Sequence, residues 1–322
     1  MRRPTRGYSR RGGRSALGGR FSIIVIGLIG LAVYWFSNQS KVPFSGRSQF
    51  NTVTPQQEIT LGLQSYQQIL QGEGRNVLCV QGGQCPTGAP ELVSQVREIG
   101  ERLEAAAVEL ERELLDQGYN FTPVAEAFDW QYNVILSNQP NAFCLPGGYV
   151  AVYTQIMDVA GDFDGTFEPD DDMRDLDKLA IIMGHEIGHA LAHHGAERMS
   201  QQRITQLGQM AVAVGLGDMG ITQQRAVMQA FGMAAQGGLL AFSREHESEA
   251  DKIGLDLLVR ACYDPREAPE LWERMGELGG GQRPPEWMST HPASETRAEN
   301  FRRWMPEAVA EYERRCGNLG GF

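Results

Sequence analysis

Residues 176–194 constrain the fold more tightly than any other stretch. The run Leu179-Ala-Ile-Ile-Met-Gly-His-Glu-Ile-Gly-His-Ala-Leu-Ala-His-His194 is apolar at helical spacing, yet it carries one glutamate and four histidines. Within it, His185, Glu186 and His189 stand as H-E-x-x-H. Residues four apart on a helix differ by about 40° in direction, so both imidazoles leave one face. Neutral imidazole nitrogen is a standard zinc ligand. Glu186 lies one step around, where a carboxylate can take a proton from a metal-held water and pass it to a leaving amine. All six histidines of the chain fall between 185 and 291, a concentrated distribution for a rare residue. The chemistry implied is metal-assisted hydrolysis, because zinc lowers the pKa of its water toward about 7.

The third ligand sets the subclass. The pattern H-E-x-x-H-x-x-G-x-x-H would need glycine and histidine where this chain has Ala192 and Gly195, so that class is excluded. His193 and His194 fall out of phase and read as a wet or packed helix face. A second helix over 243–254, Ser-Arg-Glu-His-Glu-Ser-Glu-Ala-Asp-Lys-Ile-Gly, offers Glu247 and Asp251 four apart on one face. Glu247 completes a His2Glu set with the fourth position left to water, and Asp251 can hold a ligand imidazole in the right tautomer. The plain alternative is a charged helix surface shared with Arg244, Glu245, Glu249 and Lys252.

The chain begins with an asymmetry of charge. The first 20 residues hold seven arginines and no acid, and subtracting those seven from the net −11 leaves the rest at −18. So acidic a body argues against nucleic acid as a partner. Phe21–Phe36 follows as an uncharged apolar run ending in Tyr34, Trp35 and Phe36. It predicts a transmembrane signal-anchor over 21–38, with residues 1–20 in the cytoplasm and the bulk across the membrane in a periplasm-like space. A cleaved signal peptide would want small residues where these aromatics stand, and an organellar presequence would want fewer glycines. A polar linker is expected over 39–54, and one domain over 55–322.

Within that domain the spacing predicts a helix from Pro55 to about Leu70, a glycine-rich loop over 72–90, and a long amphipathic helix from Pro90 to about Gln117. Strands are expected over 128–137 and 149–154, joined by the Pro146-Gly147-Gly148 turn. From Leu176 onward the chain reads as helix, with glycine breaks near 215–220 and 279–281. The fold class is therefore α+β: a mostly helical domain with a small sheet. Residues 158–175 form an acidic insertion without the spacing of a calcium loop. Of five cysteines, Cys79 and Cys85 bracket a glycine turn and Cys262 and Cys316 lie in the C-terminal region, but sequence leaves the pairing open. Cys144 reads as a buried small residue or as a thiol beside the cleft.

Four blocks resemble, in order, the HtpX-like and CAAX-prenyl-protease family of membrane-associated gluzincins, metallopeptidase family 48. They are Asn141–Val152, His185–His194, Ser243–Asp251 and His291–Arg297. The resemblance implies a zincin-type metalloprotease domain with one Zn2+, held by His185, His189 and Glu247, and Glu186 as general base. It implies that Gly147, Gly148, Tyr149 and Val150 begin an edge strand that pairs with an extended polypeptide substrate. It also implies that His291 stabilises the oxyanion and that Arg297 braces that loop or its acids. With one apolar run rather than several, the chain resembles the single-anchor, periplasm-facing branch. The reading is a membrane-anchored endopeptidase for unfolded or misassembled envelope proteins. The rival is a zinc-stabilised chaperone or assembly factor, or a latent protease. The alternative is a mitochondrial inner membrane, or secretion after cleavage of the apolar run.

Overall fold

The computed structural model describes residues 15–79, 90–161, 173–215, 221–279, 291 and 295–317. The chain enters through helix α1 (Ser15–Ser37) and a hairpin of β1 (Gln39–Lys41) and β2 (Ser48–Phe50), then α2 (Pro55–Glu73) and α3 (Pro90–Asp116). Strands β3 (Gln131–Ile135), β4 (Ala142–Leu145) and β5 (Tyr149–Tyr153) lead into α4 (Thr154–Ala160). The rest is helical: α5 (Met173–Leu191), α6 (His194–Gly215), α7 (Ile221–Arg260), α8 (Ala268–Gly279) and α9 (Glu295–Cys316). The α+β class expected from the sequence is met, with helices dominating.

Local signals set several boundaries. Thr54 caps α2: its hydroxyl accepts from the Gln57 N–H while the Gln57 side chain accepts from the Thr54 N–H, and Pro55 occupies the first turn. The apolar stripe of α3 (Leu92, Val96, Ile99, Leu103, Leu110) is buried, as its periodicity requires. α5 stops at Leu191 because His193 adopts a left-handed conformation (φ 57°), which lets α6 start at His194 in a new direction.

Two helices make the frame of the molecule. α5 and α7 pack along each other, and three glycines mark the closest approach. A Cβ on Gly254 would stand 2.9 Å from the His185 amide nitrogen and 3.0 Å from the Gly184 carbonyl carbon. A Cβ on Gly188 would stand 2.8 Å from the Ala250 carbonyl oxygen. The backbones therefore touch where the candidate ligands leave them. Ile182, Met183 and Ile187 of α5 and Leu257 of α7 are fully buried around this contact.

The sheet order is β3-β5-β4, with β3 parallel and β4 antiparallel to β5. Gly147 and Gly148 make the β4–β5 turn with φ of 101° and 84°, a region only glycine adopts freely. This corrects one expectation. Tyr149 and Val150 belong to the central strand, paired on both sides, and not to an edge. The outer side of β3 is covered by residues 76–78, through the Leu78 N–H to the Val134 carbonyl and the Leu136 N–H to the Asn76 carbonyl. The uncovered edge among the described residues is β4, which sequence reading had not assigned as a strand, and it lies against α5.

The N-terminal expectations also change. Among the described residues no helix is long and apolar enough to cross a membrane. Val25, Ile26, Leu28, Ile29, Val33 and Phe36 of α1 are exposed apolar side chains. Residues 39–54 are not a free linker. Val42 and Phe50 are buried, Trp35 stacks on Phe50 at 4.4 Å, and the hairpin is seated on the helical body. Cys262 and Cys316 form a disulfide joining the ends of α7 and α9, while Cys144 is a free, buried thiol. The expected partner of Cys79, Cys85, lies outside the described residues, as does most of the acidic insertion (162–172).

Gly254→Ala tests the helix contact. We expect the added methyl to cost about 1–3 kcal/mol and to weaken zinc binding, because it pushes Glu247 away from the histidines. Thermal denaturation with and without zinc checks both effects.

Candidate metal centre

α5 turns His185 and His189 toward α7, and Glu247 faces them from the opposite helix. The two Nε2 atoms are 3.1 Å apart, and the Glu247 oxygens lie 3.4 Å from each of them. In a tetrahedral zinc site with bonds of about 2.0–2.1 Å, ligand atoms are about 3.3–3.4 Å apart. The spacing fits, and so does the two-nitrogen, one-carboxylate donor set. His291 joins this group: its Nδ1 is 3.3 Å from His185 Nε2 and 3.2 Å from the Glu247 oxygens, at the fourth corner. All four ligand atoms fall within 4.8 Å of one another. Glu186 is buried beside them, 3.6 Å from the other nitrogen of His291.

The remaining imidazole nitrogens are held as well, which is a second test of fit. His185 Nδ1 is 2.9 Å from Asp251 Oδ1, and His189 Nδ1 is 2.7 Å from His194 Nδ1. With Nδ1 engaged on each ring, Nε2 is left to face the centre. Asp251 is fixed by Arg297, which donates Nε to Oδ2 and Nη2 to Oδ1, both at 2.7 Å. The same guanidinium gives Nη1 to Glu247 Oε2 at 3.0 Å and lies 3.5 Å over the Trp272 ring. Arg297 thus bridges the carboxylate behind one histidine and the carboxylate facing both.

Charges follow from this packing. Burial alone would raise the Glu247 and Asp251 carboxyls, yet both are held below the usual range, Glu247 by His189, His185 and His291 and Asp251 by Arg297 and His185. Burial works against a charged His185, but its bonds to Asp251 and Glu247 push it up to about 9. Burial and the adjacent histidines push His189 down to about 3. His185 gives up its proton when it serves as a ligand. Burial, with the nearby Glu186 charge, drives the Cys144 thiol well up, so it is a neutral packed group rather than a reactive thiolate.

A family model for peptidase family M48 matches residues 105–305, which contain every residue of this centre. The chain belongs to peptidase family M48. This M48 chain is a zinc metalloendopeptidase. It is similar to the mitochondrial metalloendopeptidase OMA1 of Saccharomyces cerevisiae, 30% identical over 305 residues that cover 91% of this chain and 77% of the relative. Its similarity to human mitochondrial metalloendopeptidase OMA1 is 30% over 201 residues, 58% of this chain and 34% of the relative. With the β-barrel assembly-enhancing protease of Escherichia coli it shares 27% over 177 residues, 54% of this chain and 34% of the relative.

The structure brings together His185, Glu186, His189, Glu247, Asp251, His291 and Arg297, and leaves Tyr149 and Val150 in the sheet interior. His194 is packed, one of the two faces the sequence allowed, but sequence reading gave it no role at the centre, where it lies buried behind His189. Burial, His246 and Arg47 drive its imidazole well below the usual range, so it is neutral. No local pattern signalled this, because the break between α5 and α6 is set by the left-handed conformation of His193 (φ 57°). His193 itself turns away to Glu58 of α2, at 2.7 Å.

Arg297→Met removes the partner common to two buried carboxylates, whose side chains are 0% and 4% exposed. The metal-free variant is expected to lose about 3–5 kcal/mol, read from denaturant unfolding.

Proposed function

We propose that this metalloendopeptidase cleaves extended segments of unfolded or misassembled proteins at a membrane, as a quality-control protease of the envelope. The observation that carries this is the open edge of β4 beside α5. An edge strand offers unpaired backbone groups to any extended chain, giving affinity with little sequence demand. The similarity to a mitochondrial metalloendopeptidase and to a β-barrel assembly-enhancing protease supports a polypeptide substrate. Within the family we assign the chain to the single-anchor branch of HtpX-like and CAAX-protease type. The uncharged apolar run Phe21–Phe36 of the sequence would anchor it, with the arginine-rich start on the cytoplasmic side and the catalytic domain periplasmic, or correspondingly placed at a mitochondrial inner membrane.

In this reading His185, His189 and Glu247 would hold zinc, which would supply Lewis acidity and lower the pKa of a water toward neutrality. Glu186 takes the water's proton and returns it to the leaving amine, for which its place beside the cluster is suited. Asp251 fixes His185, and Arg297 fixes Asp251 and Glu247. His291 is assigned to the developing oxyanion. Its ring must first leave the fourth corner, because an active site needs that position free. That geometry favours a second reading in which the described conformation is a latent one.

The full chain in detergent, incubated with unfolded casein, tests the function. Wild type should cleave, and Glu186→Gln should keep its zinc while losing about 10²–10⁴-fold in rate. Zinc-loaded wild type that never cleaves would leave the chaperone-like alternative standing. His291→Ala separates its two roles. Loss of about 10²-fold with zinc retained supports oxyanion stabilisation, whereas faster cleavage assigns His291 only to blocking the site.

A further inference from the structure

We propose that Glu249 and His194 form a hydrogen-bonded relay that fixes His189 as a zinc ligand, clamped at its outer end by Arg47 of the β1–β2 hairpin. Three elements that are distant in sequence meet here: the hairpin, the start of α6 and the middle of α7. His194 Nε2 lies 2.9 Å from Glu249 Oε2, and His194 Nδ1 lies 2.7 Å from His189 Nδ1. Arg47 donates Nε and Nη2 to Glu249 Oε2 at 3.0 and 2.8 Å, and Ser45 donates to Glu249 Oε1.

The tautomers leave one arrangement. His189 presents Nε2 to the metal position, so its Nδ1 carries the hydrogen and donates to His194. His194 Nδ1 must then accept, which puts its own hydrogen on Nε2, and that hydrogen goes to Glu249. Every step then has a donor facing an acceptor, and the relay ends on Oε2 of Glu249. A ring nitrogen held in this way sets both the orientation and the basicity of the ligand.

The surroundings keep the relay in place. His246 stacks on His194 at 4.2 Å with ring planes 13° apart, and its Nε2 is 2.9 Å from Glu197 Oε2. Glu197 accepts Nη1 and Nη2 of Arg47 at 3.1 and 2.8 Å, so one guanidinium holds two carboxylates. The side chains of His194, Glu197 and Glu249 are 4%, 0% and 4% exposed. His185 is supported differently, by direct contact with Asp251. Arg47 also lies outside residues 105–305, so a segment beyond the family match reaches a zinc ligand through two side chains.

Zinc affinity, measured by competition with a chromophoric chelator, reads the relay without any peptidase assay, so its outcome is independent of the substrate reading. The full chain and the variants His194→Phe, Glu249→Gln, Arg47→Met and Arg47→Lys are compared, with the thermal midpoint of each metal-free protein measured alongside. We expect His194→Phe to weaken zinc by about 10–100-fold and Glu249→Gln and Arg47→Met by about 10-fold. Arg47→Lys should recover part of that loss. The visible spectrum of the Co2+-loaded protein should shift in His194→Phe, because His189 loses its acceptor. A purely structural role would lower the metal-free midpoint and leave affinity and spectrum unchanged. Should His194→Phe fail to fold, the nearly isosteric Glu249→Gln decides. Affinities within about threefold of wild type in every folded variant would overturn the proposal.

Discussion

The zinc centre depends on how closely α5 and α7 approach. Glycines at 184, 188 and 254 remove the side chains that would otherwise separate the two backbones. Only at this distance can a glutamate from one helix meet two histidines from the other at the spacing a small cation requires. The apolar residues around the contact, Ile182, Met183, Ile187 and Leu257, keep it in place and exclude water. A close-packed frame of this kind turns a modest helix displacement into a lost ligand.

Burying so many charges beside that frame is costly unless each is paired. The molecule meets the requirement with two arginines that each serve two carboxylates. Arg297 joins Asp251 and Glu247, and Arg47 joins Glu197 and Glu249. One approaches from the C-terminal helix α9 and the other from the N-terminal hairpin, so both ends of the described chain converge on α7. The two histidine ligands are thereby steadied from opposite sides, by a carboxylate at His185 and by another imidazole at His189.

Much of the centre was legible before any fold was known. The i, i+4 spacing of His185 and His189, and of Glu247 and Asp251, carries its geometry within single helices, where periodicity decides which side chains share a face. The long helices and the sheet were visible for the same local reason. The β4 edge was not, because Ala142–Leu145 is only four residues long and is defined by its pairing with β5. The role of the 39–50 segment was equally hidden: its polar composition looks like a linker until Arg47 is placed against buried glutamates 150 and 202 positions away.

The sequence by itself carried the His185–His189 pair, the Glu186 general-base candidate, the helical character and the family resemblance that singles out Glu247, since these rest on residue identity and on short motifs with spacings of about two helical turns or less. The tertiary structure alone decided that β5 is central and β4 the open edge, that His291 stands at the fourth corner, and that His194 rather than solvent backs His189. Each of those depends on groups brought together across long stretches of chain. Such contacts are set by packing and by the pairing of buried charge, and no local pattern records them.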